Sequence, residues 1–408
     1  MSPFAMNVIL AQVIAFLYGE IVGCDPRARS RLRAFAGTLA LGALTLLAAL
    51  PARGQNGGDY LRRHYDFSAP PPAAAASRAP QWIQIPRAAG RLTSKQLGLV
   101  INTADPYSVA VGEFYIQARG LTRAQVLRVQ LPLRGALTPE EFKAFAAAVD
   151  AFFEVPVQAL ALAWSQPYAV GCNSITGALA LGFDAALCEH SCAASLRSPY
   201  FDNPSTRPYS ELKMRPSMLL AARDVPTAEA MIRRGVAADG SLGLRGAPPV
   251  QAYFVATSDR ARSVRSGLFP PPGLLRRQGV EVHVESTQAI ENAQRVLIYQ
   301  TGLASVPKLD TLKWVPGALA DHLTSFGGVL GSSGGQMSIL DWITSGATAS
   351  YGTVSEPCAH PQKFPHPQVL LLNYLQGATA IEAYWRSVAW PQQGVFIGEP
   401  LAAPFARR

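Results

Sequence analysis

Between Leu97 and Trp164 the chain alternates short apolar runs with well-bounded helical segments, and this alternation constrains the fold more than any other feature. Leu97-Gly-Leu-Val-Ile101 is apolar at nearly every position, as a strand buried on both faces must be. Asp105-Pro106 offers an N-cap and a proline at the first helical position, which predicts a helix to Ala118 stopped by Gly120. Residues 126–131 form a second expected strand. Thr138-Pro139-Glu140-Glu141 is a capping box that opens a helix ending near Phe153, and residues 157–164 are a third strand. Strand, helix, strand, helix, strand at this spacing predicts right-handed βαβ units and a doubly wound, mostly parallel α/β sheet.

The rhythm returns downstream. Residues 250–256, 280–284, 296–299, 347–352 and 394–397 are expected strands, with Thr301-Gly302 breaking the third of them. Residues 337–344, 369–375 and 379–388 are expected helices, and 317–323 fit strand or helix equally well. The stretch between is less regular: a helix over 175–197, a polar loop over 200–211, a strand over 217–221 and a helix over 224–234 closed by Gly235. Residues 165–249 are therefore expected to be an insertion or small lobe between an N-terminal subdomain (97–164) and a second α/β subdomain (250–408). No internal repeat is visible.

With 49% hydrophobic and 15% charged residues the chain is neither disordered nor, beyond its N-terminus, a carrier of spanning-length apolar runs. The net charge of +9 does not mark a nucleic-acid binder. Residues 1–54 hold five arginines against Glu20 and Asp25, and the remaining basic residues are dispersed rather than gathered on one face. No nucleic-acid partner is expected.

Arg27, Arg29, Arg31 and Arg33 precede an uncharged apolar stretch at 34–50, followed by Pro51-Ala52-Arg53-Gly54. A basic region, an apolar core and small residues before a cleavage point predict a secretory signal peptide, with an uncleaved membrane tether as the other reading of the same residues. Residues 1–26 carry a second apolar run and fit a start site placed too far upstream. Either way the protein is expected to be exported, to the periplasm or beyond. Residues 55–96 are rich in proline and alanine through about residue 92 and are expected to be a linker. Export leaves Cys172, Cys188, Cys192 and Cys358, an even number in an oxidising compartment.

The segments at 296–302, 316–328, 346–353 and 394–401 resemble, in order and texture, the C-terminal subdomain of gingipain-type cysteine peptidases of the caspase-like clan, and residues 97–164 are similar to that family's N-terminal subdomain. In that family a strand ending Tyr-x-Gly-His-Gly presents the catalytic histidine, and the next strand ends in the nucleophilic cysteine. A Gly-Ala strand and a Gly-Asp-Pro turn follow. The counterparts here are Tyr299-Gln-Thr-Gly302, residues 323–325, Gly346-Ala-Thr-Ala-Ser-Tyr-Gly352 and Gly398-Glu399-Pro400. Leu303 stands where the histidine belongs, and Leu323, Thr324 or Ser325 where the cysteine belongs. The resemblance implies a caspase-like fold without the usual dyad. Asp105-Pro-Tyr-Ser-Val-Ala110, Arg215-Pro-Ser-Met218, Ala320-Asp-His-Leu-Thr-Ser-Phe-Gly-Gly328 and Glu382-Ala-Tyr-Trp385 also resemble a family of exported bacterial proteins from species with exosortase-type sorting systems, which has no assigned activity.

In a doubly wound sheet, ligands bind beyond the carboxyl ends of the strands. The residues expected there include Asp105, Trp164, Thr301, Asp321, Thr324 and Glu356 as binding groups. His322 and Cys358 form the sharpest catalytic pair, since an imidazole can lower a thiol's pKa and carry its proton, with Asp321 or Glu356 orienting the ring. A structural disulfide or buried thiol is the other reading of Cys358. Ser325, followed by Gly327-Gly328, is the rival nucleophile, set against a solvated serine in a turn. Cys188-Glu-His190-Ser-Cys192 with Cys172 suggests zinc, but on a helix His190 would point away from both cysteines, so disulfides involving Cys172 are favoured and no metal is expected. Arg260, Arg262 and Arg265 are an anion site or a solvated basic face. Gly331-Ser-Ser-Gly-Gly335 lacks the Lys-Ser/Thr ending of a phosphate loop, which leaves a mobile connection able to act as a lid. His360, Lys363 and His366 lie in a proline-rich loop near the same mouth. No cofactor is expected. Two functions remain: non-catalytic binding of a polypeptide or other envelope component, and a divergent hydrolase or transpeptidase using His322 with Cys358 or Ser325.

Overall fold

The computed structural model describes residues 81–331 and 334–407. The expected signal region, the first part of the linker and Ser332-Ser333 of the glycine-serine loop lie outside the described residues.

The apolar runs become strands β1 (Leu97–Asn102), β2 (Val126–Val129), β4 (Ala159–Leu162), β7 (Ser217–Leu219), β8 (Val250–Ala256), β10 (Val280–Ser286), β11 (Val296–Gly302), β12 (Trp314–Leu323), β13 (Ala349–Thr353) and β14 (Gly394–Gly398). With a short edge strand, β9 (Gly273–Leu275), they form one sheet in the order β2-β1-β4-β7-β14-β13-β12-β11-β8-β10-β9. Three two-residue strands, β3 (Ala136–Leu137), β5 (Ala169–Val170) and β6 (Asn173–Ser174), make a small second sheet. Helices α1 (Pro106–Arg119), α6 (Val225–Ala238) and α7 (Leu340–Ser345) pack along one face of the main sheet, and α8 (Pro367–Leu375) and α9 (Ala380–Ser387) along the other. The remaining helices are α2 (Pro139–Phe152), α3 (Ile175–Leu181), α4 (Ala186–Glu189) and α5 (Pro208–Leu212).

The predicted parallel α/β architecture is present. Pairing is parallel from β2 through β7 and from β13 through β10. Strand β14 runs antiparallel to β13 over five registered pairs, from Ala349 with Gly398 to Thr353 with Gly394. A single bridge with parallel pairing, Ile397 to Leu219, joins β14 to β7 and is too short to set a direction. Contacts across this seam set it. Ser355, just beyond β13, donates to the carbonyl of Cys172 in the loop beyond β4. Arg234, near the end of α6, donates to the carbonyl of Ala347 just before β13. Arg119, closing α1, meets Glu399 just beyond β14. Both parallel groups therefore aim their carboxyl ends at one edge, and β14 runs against them.

Several features differ from the sequence expectation. Residues 165–249 are not a separate lobe throughout, because β7 and α6 belong to the main sheet and its helical layer, and the described residues fall in one compact unit. A repeat also exists that the sequence hides: β2-β1-β4-β7 and β10-β8-β11-β12 share the order second, first, third, fourth.

The expected helix over 175–197 stops at Leu181, resumes for Ala186–Glu189 and then gives way to turns. Gly235 does not close α6 but lies inside it, where a Cβ would come within 2.5 Å of Glu399 Cγ. Its role is close approach. Glu399 is fully buried and bonded by Arg119 and Tyr115, so the helix must leave it room. Residues 317–323 resolve as strand, because Trp314–Leu323 pairs parallel with β11 at Trp314 and, past a register shift, from Leu319 to Leu323.

Candidate functional site at the carboxyl edge

Strands β11 and β12 run side by side in register, with Tyr299 beside Ala320, Gln300 beside Asp321, Thr301 beside His322 and Gly302 beside Leu323. Side chains alternate between faces along a strand. His322 and Asp321 therefore point to opposite faces, and Asp321 cannot orient the imidazole as the sequence suggested.

His322 faces α7 and is completely buried. Its Nε2 donates to the Met337 carbonyl at 3.1 Å, and its Nδ1 accepts from the Trp342 indole N–H at 3.0 Å. Burial, aided by the positive charges of Arg265 and Arg262, lowers its pKa to about 3. A ring with both nitrogens engaged and no affinity for a proton near neutrality cannot serve as a general base.

Cys358 is bonded to Cys192, and Cys172 to Cys188. The proposed dyad is thus removed at both ends: Cys358 has no thiolate to offer, and neither partner of His322 is Cys358. The disulfides also account for all the cysteines of the zinc alternative, and among the described residues no cluster suited to a metal exists. Glu356 accepts from the Cys358 backbone N–H at 2.7 Å and so braces its own turn rather than an imidazole. Ser325 is half-buried, and its carbonyl accepts from the Thr353 hydroxyl. No histidine is bonded to it.

On the opposite face Asp321 meets Arg265 at 2.7 Å, both buried, and accepts from the Gln300 amide at 2.7 Å. Burial raises the Asp321 pKa, and the Arg265 charge and the Gln300 hydrogen bond only partly offset this. Arg265 also donates to the carbonyls of Thr301 and Pro365, and so ties the loop after β8 across the ends of β11 and β12. Arg262 bonds Asp259 at 2.7 Å and the Thr324 hydroxyl at 3.1 Å, and Thr324 in turn donates to Gln336. These arginines are neither an open anion site nor a solvated face. Of the three, Arg260 alone is exposed. Gly302 lies so close under this loop that a Cβ would overlap the Arg262 carbonyl, which explains why β11 ends in glycine.

Asp105 caps α1 by accepting from Tyr107 N–H, and Trp164 is a buried side chain donating to the Pro167 carbonyl. They lie at the same edge as Thr301 and Thr324 but not in the same hollow. Four strand spacings of about 4.8 Å separate β4 from β12, and five separate β1 from β12. Thr301 is itself buried, with its hydroxyl unpaired.

The open space at this edge is an apolar cleft of about 380 Å³. Phe201, Val264, Leu268, Phe364 and Ala389 line it, with His366 as its titratable group. The His366 Nδ1 accepts from Val369 N–H at 3.4 Å to cap α8, which leaves the ring's proton on Nε2, and burial lowers the pKa. Lys363 does not share the mouth: it is buried and donates to the Ser191 carbonyl at 2.6 Å, with its pKa lowered to about 8 by desolvation. His360 packs edge-on against Trp390. The apolar lining of the cleft escaped sequence reasoning because its members come from four separate segments, none with a motif.

Two disulfides accord with the expected oxidising compartment, and among the described residues no helix is long and apolar enough to cross a membrane. No family model matches the chain, and neither a curated protein nor a solved structure matches it.

Proposed function

We propose that this is an exported protein of caspase-like architecture that holds a polypeptide segment at the carboxyl edge of its sheet without cleaving it. The observation that carries this reading is the pair of strand ends at β11 and β12. In gingipain-type peptidases, neighbouring strands end in the histidine and the cysteine; here Gly302 and Leu323 are in register, and Leu303 and Leu323 to Ser325 stand in those places. The surrounding polar groups are committed to one another, as Arg262 with Thr324 and Arg265 with Asp321, so no proton-transfer group remains free beside them. The order β10-β8-β11-β12-β13-β14 with an antiparallel last strand, and the acidic turn Gly398-Glu399-Pro400 at its end, support the caspase-like part of the reading.

The cleft beside Leu268 supports the binding part. It is concave and mostly apolar, with a few polar groups (Gln362, His366, Ser387) among its lining, the arrangement that takes an apolar side chain while fixing the backbone next to it. Panning a random peptide library against the full-length protein tests the reading, with Val264→Asp/Leu268→Asp as the counter-selected variant. The expected outcome is enrichment of peptides with a branched or aromatic apolar residue whose affinity falls about tenfold or more in the variant. Peptides that bind both proteins equally, or peptides recovered as cleaved fragments, would overturn it.

A further inference from the structure

The opposite end of the molecule has a different chemistry. Two cavities of about 420 Å³ each share Arg277, Gln278, Leu375, Phe405 and Arg407, and so form one trough. Arg87 and Arg91 from the extended N-terminal strap complete its rim. No carboxylate side chain lines either cavity. None of the four arginines makes an ion pair or hydrogen bond among the described residues, in contrast to Arg119, Arg262 and Arg265, each of which is paired.

Apolar side chains lie among the polar groups of the trough. Leu242, Leu375 and Phe405 lie along it, and Leu244 at its lip is 61% exposed. A third cavity of about 290 Å³, sharing Gln278 and Leu375, continues the apolar surface to Leu275, Leu372 and Trp82, the last 37% exposed. Guanidinium forks suit phosphate oxygens, and a contiguous greasy surface beside them suits hydrocarbon. Exposed large apolar side chains rimmed by cations are also what a surface resting on lipid presents.

We infer that this trough binds an anionic phospholipid at a membrane surface, with the headgroup phosphate among Arg87, Arg91, Arg277 and Arg407 and the acyl region against Leu244, Phe405 and Trp82. The inference is independent of the polypeptide cleft, which lies at the other edge of the sheet. Charge complementarity selects the occupant. An acidic peptide would use the arginines and leave the exposed Leu244 and Trp82 uncovered; a neutral detergent-like molecule would do the reverse.

The test is co-sedimentation of the full chain with vesicles of phosphatidylcholine alone and of phosphatidylcholine containing phosphatidylglycerol. The readout is the excess binding to the second over the first, measured in an Arg27→Gln/Arg29→Gln/Arg31→Gln/Arg33→Gln background so that neither the apolar nor the basic part of the N-terminal stretch contributes to it. Arg87→Gln/Arg91→Gln/Arg277→Gln/Arg407→Gln should lower that excess by about tenfold or more, because each basic residue near an anionic surface contributes separately. Leu244→Asp, at an exposed position that cannot disturb the core, should lower it too. Millimolar inorganic phosphate should compete weakly, because it lacks the acyl chain. No excess on phosphatidylglycerol, or an excess that survives the four substitutions, overturns the inference. Full competition by inorganic phosphate, or loss in the arginine variant with Leu244→Asp unaffected, assigns the trough to a soluble anion and equally overturns the lipid.

Discussion

Both ring nitrogens of His322 are bonded inside the protein, and their partners have nowhere else to turn. Replacing the ring by alanine leaves the Trp342 N–H and the Met337 carbonyl buried and unpaired, at about 1–3 kcal/mol for each such group. Urea unfolding of His322→Ala should show a loss of about 2–6 kcal/mol for the two groups together, and a change within error would mean that the bonds contribute nothing. The ring also gives a pH signature. Its folded pKa, about 3, lies below the unfolded value, so the unfolded chain binds a proton first as pH falls. This contribution is fully present above about pH 6.5 and is lost on acidification toward pH 3, at about 1.4 kcal/mol per pH unit between. The His322→Gln variant should lack that slope, and equal slopes in the two proteins would contradict the buried neutral ring. The Arg265–Asp321 pair makes a second residue-scale test. Asp321→Asn strands a buried guanidinium and should cost about 3–5 kcal/mol, whereas Arg265→Met/Asp321→Leu should cost less than the single change, because neither charge is left behind. A double variant no more stable than Asp321→Asn would show that the pair is worth more than an apolar replacement.

At the scale of elements, α6 tests how the sheet and its helices fit. Glycine inside a helix is ordinarily replaced by alanine with a gain of roughly 1 kcal/mol. At Gly235 the sign should reverse: the added methyl meets Glu399 at 2.5 Å and pushes it off Arg119 and Tyr115. Gly235→Ala should destabilise by about 1–3 kcal/mol in thermal or denaturant unfolding, and a gain in stability would contradict this packing. This position also marks the limit of what the chain's linear pattern could show. Strands β1, β4, β8, β11 and β14, and helices α1 and α2 with their caps, were legible because period, proline and capping residues act locally. Gly235 was misread as a stop because the reason for it lies 164 positions away, at Glu399. The long helix expected over 175–197 failed partly for a local reason. Its apolar periodicity was sound to Leu181, where Gly182 at positive φ ends the helix, and beyond it Cys188 and Cys192 are held to Cys172 and Cys358 by pairings that no local pattern encodes.

At the scale of the whole molecule, strand direction puts the candidate residues at the carboxyl edge, but the partners expected for them are not beside them. The edge follows from strand direction, whereas adjacency follows from strand order, and β14 inserted between β7 and β13 sets Asp105 and Trp164 apart from His322. The same long-range order depends on the disulfides. Cys192–Cys358 closes 166 residues and Cys172–Cys188 only 16, so removing the first should cost more, within a typical range of about 2–5 kcal/mol. Denaturant curves of Cys192→Ala/Cys358→Ala against Cys172→Ala/Cys188→Ala measure the difference, and the reverse ranking would show that loop length does not govern it. The central claim, an edge built to hold rather than to cut, is tested most directly by chemical labelling of the native, unreduced protein with iodoacetamide and a fluorophosphonate, followed by peptide mass spectrometry. The account predicts an unmodified Cys358, recovered only in disulfide linkage to Cys192, and an unlabelled Ser325. Alkylation of Cys358 without reductant, or a Ser325 adduct whose formation slows in His322→Gln, would contradict it.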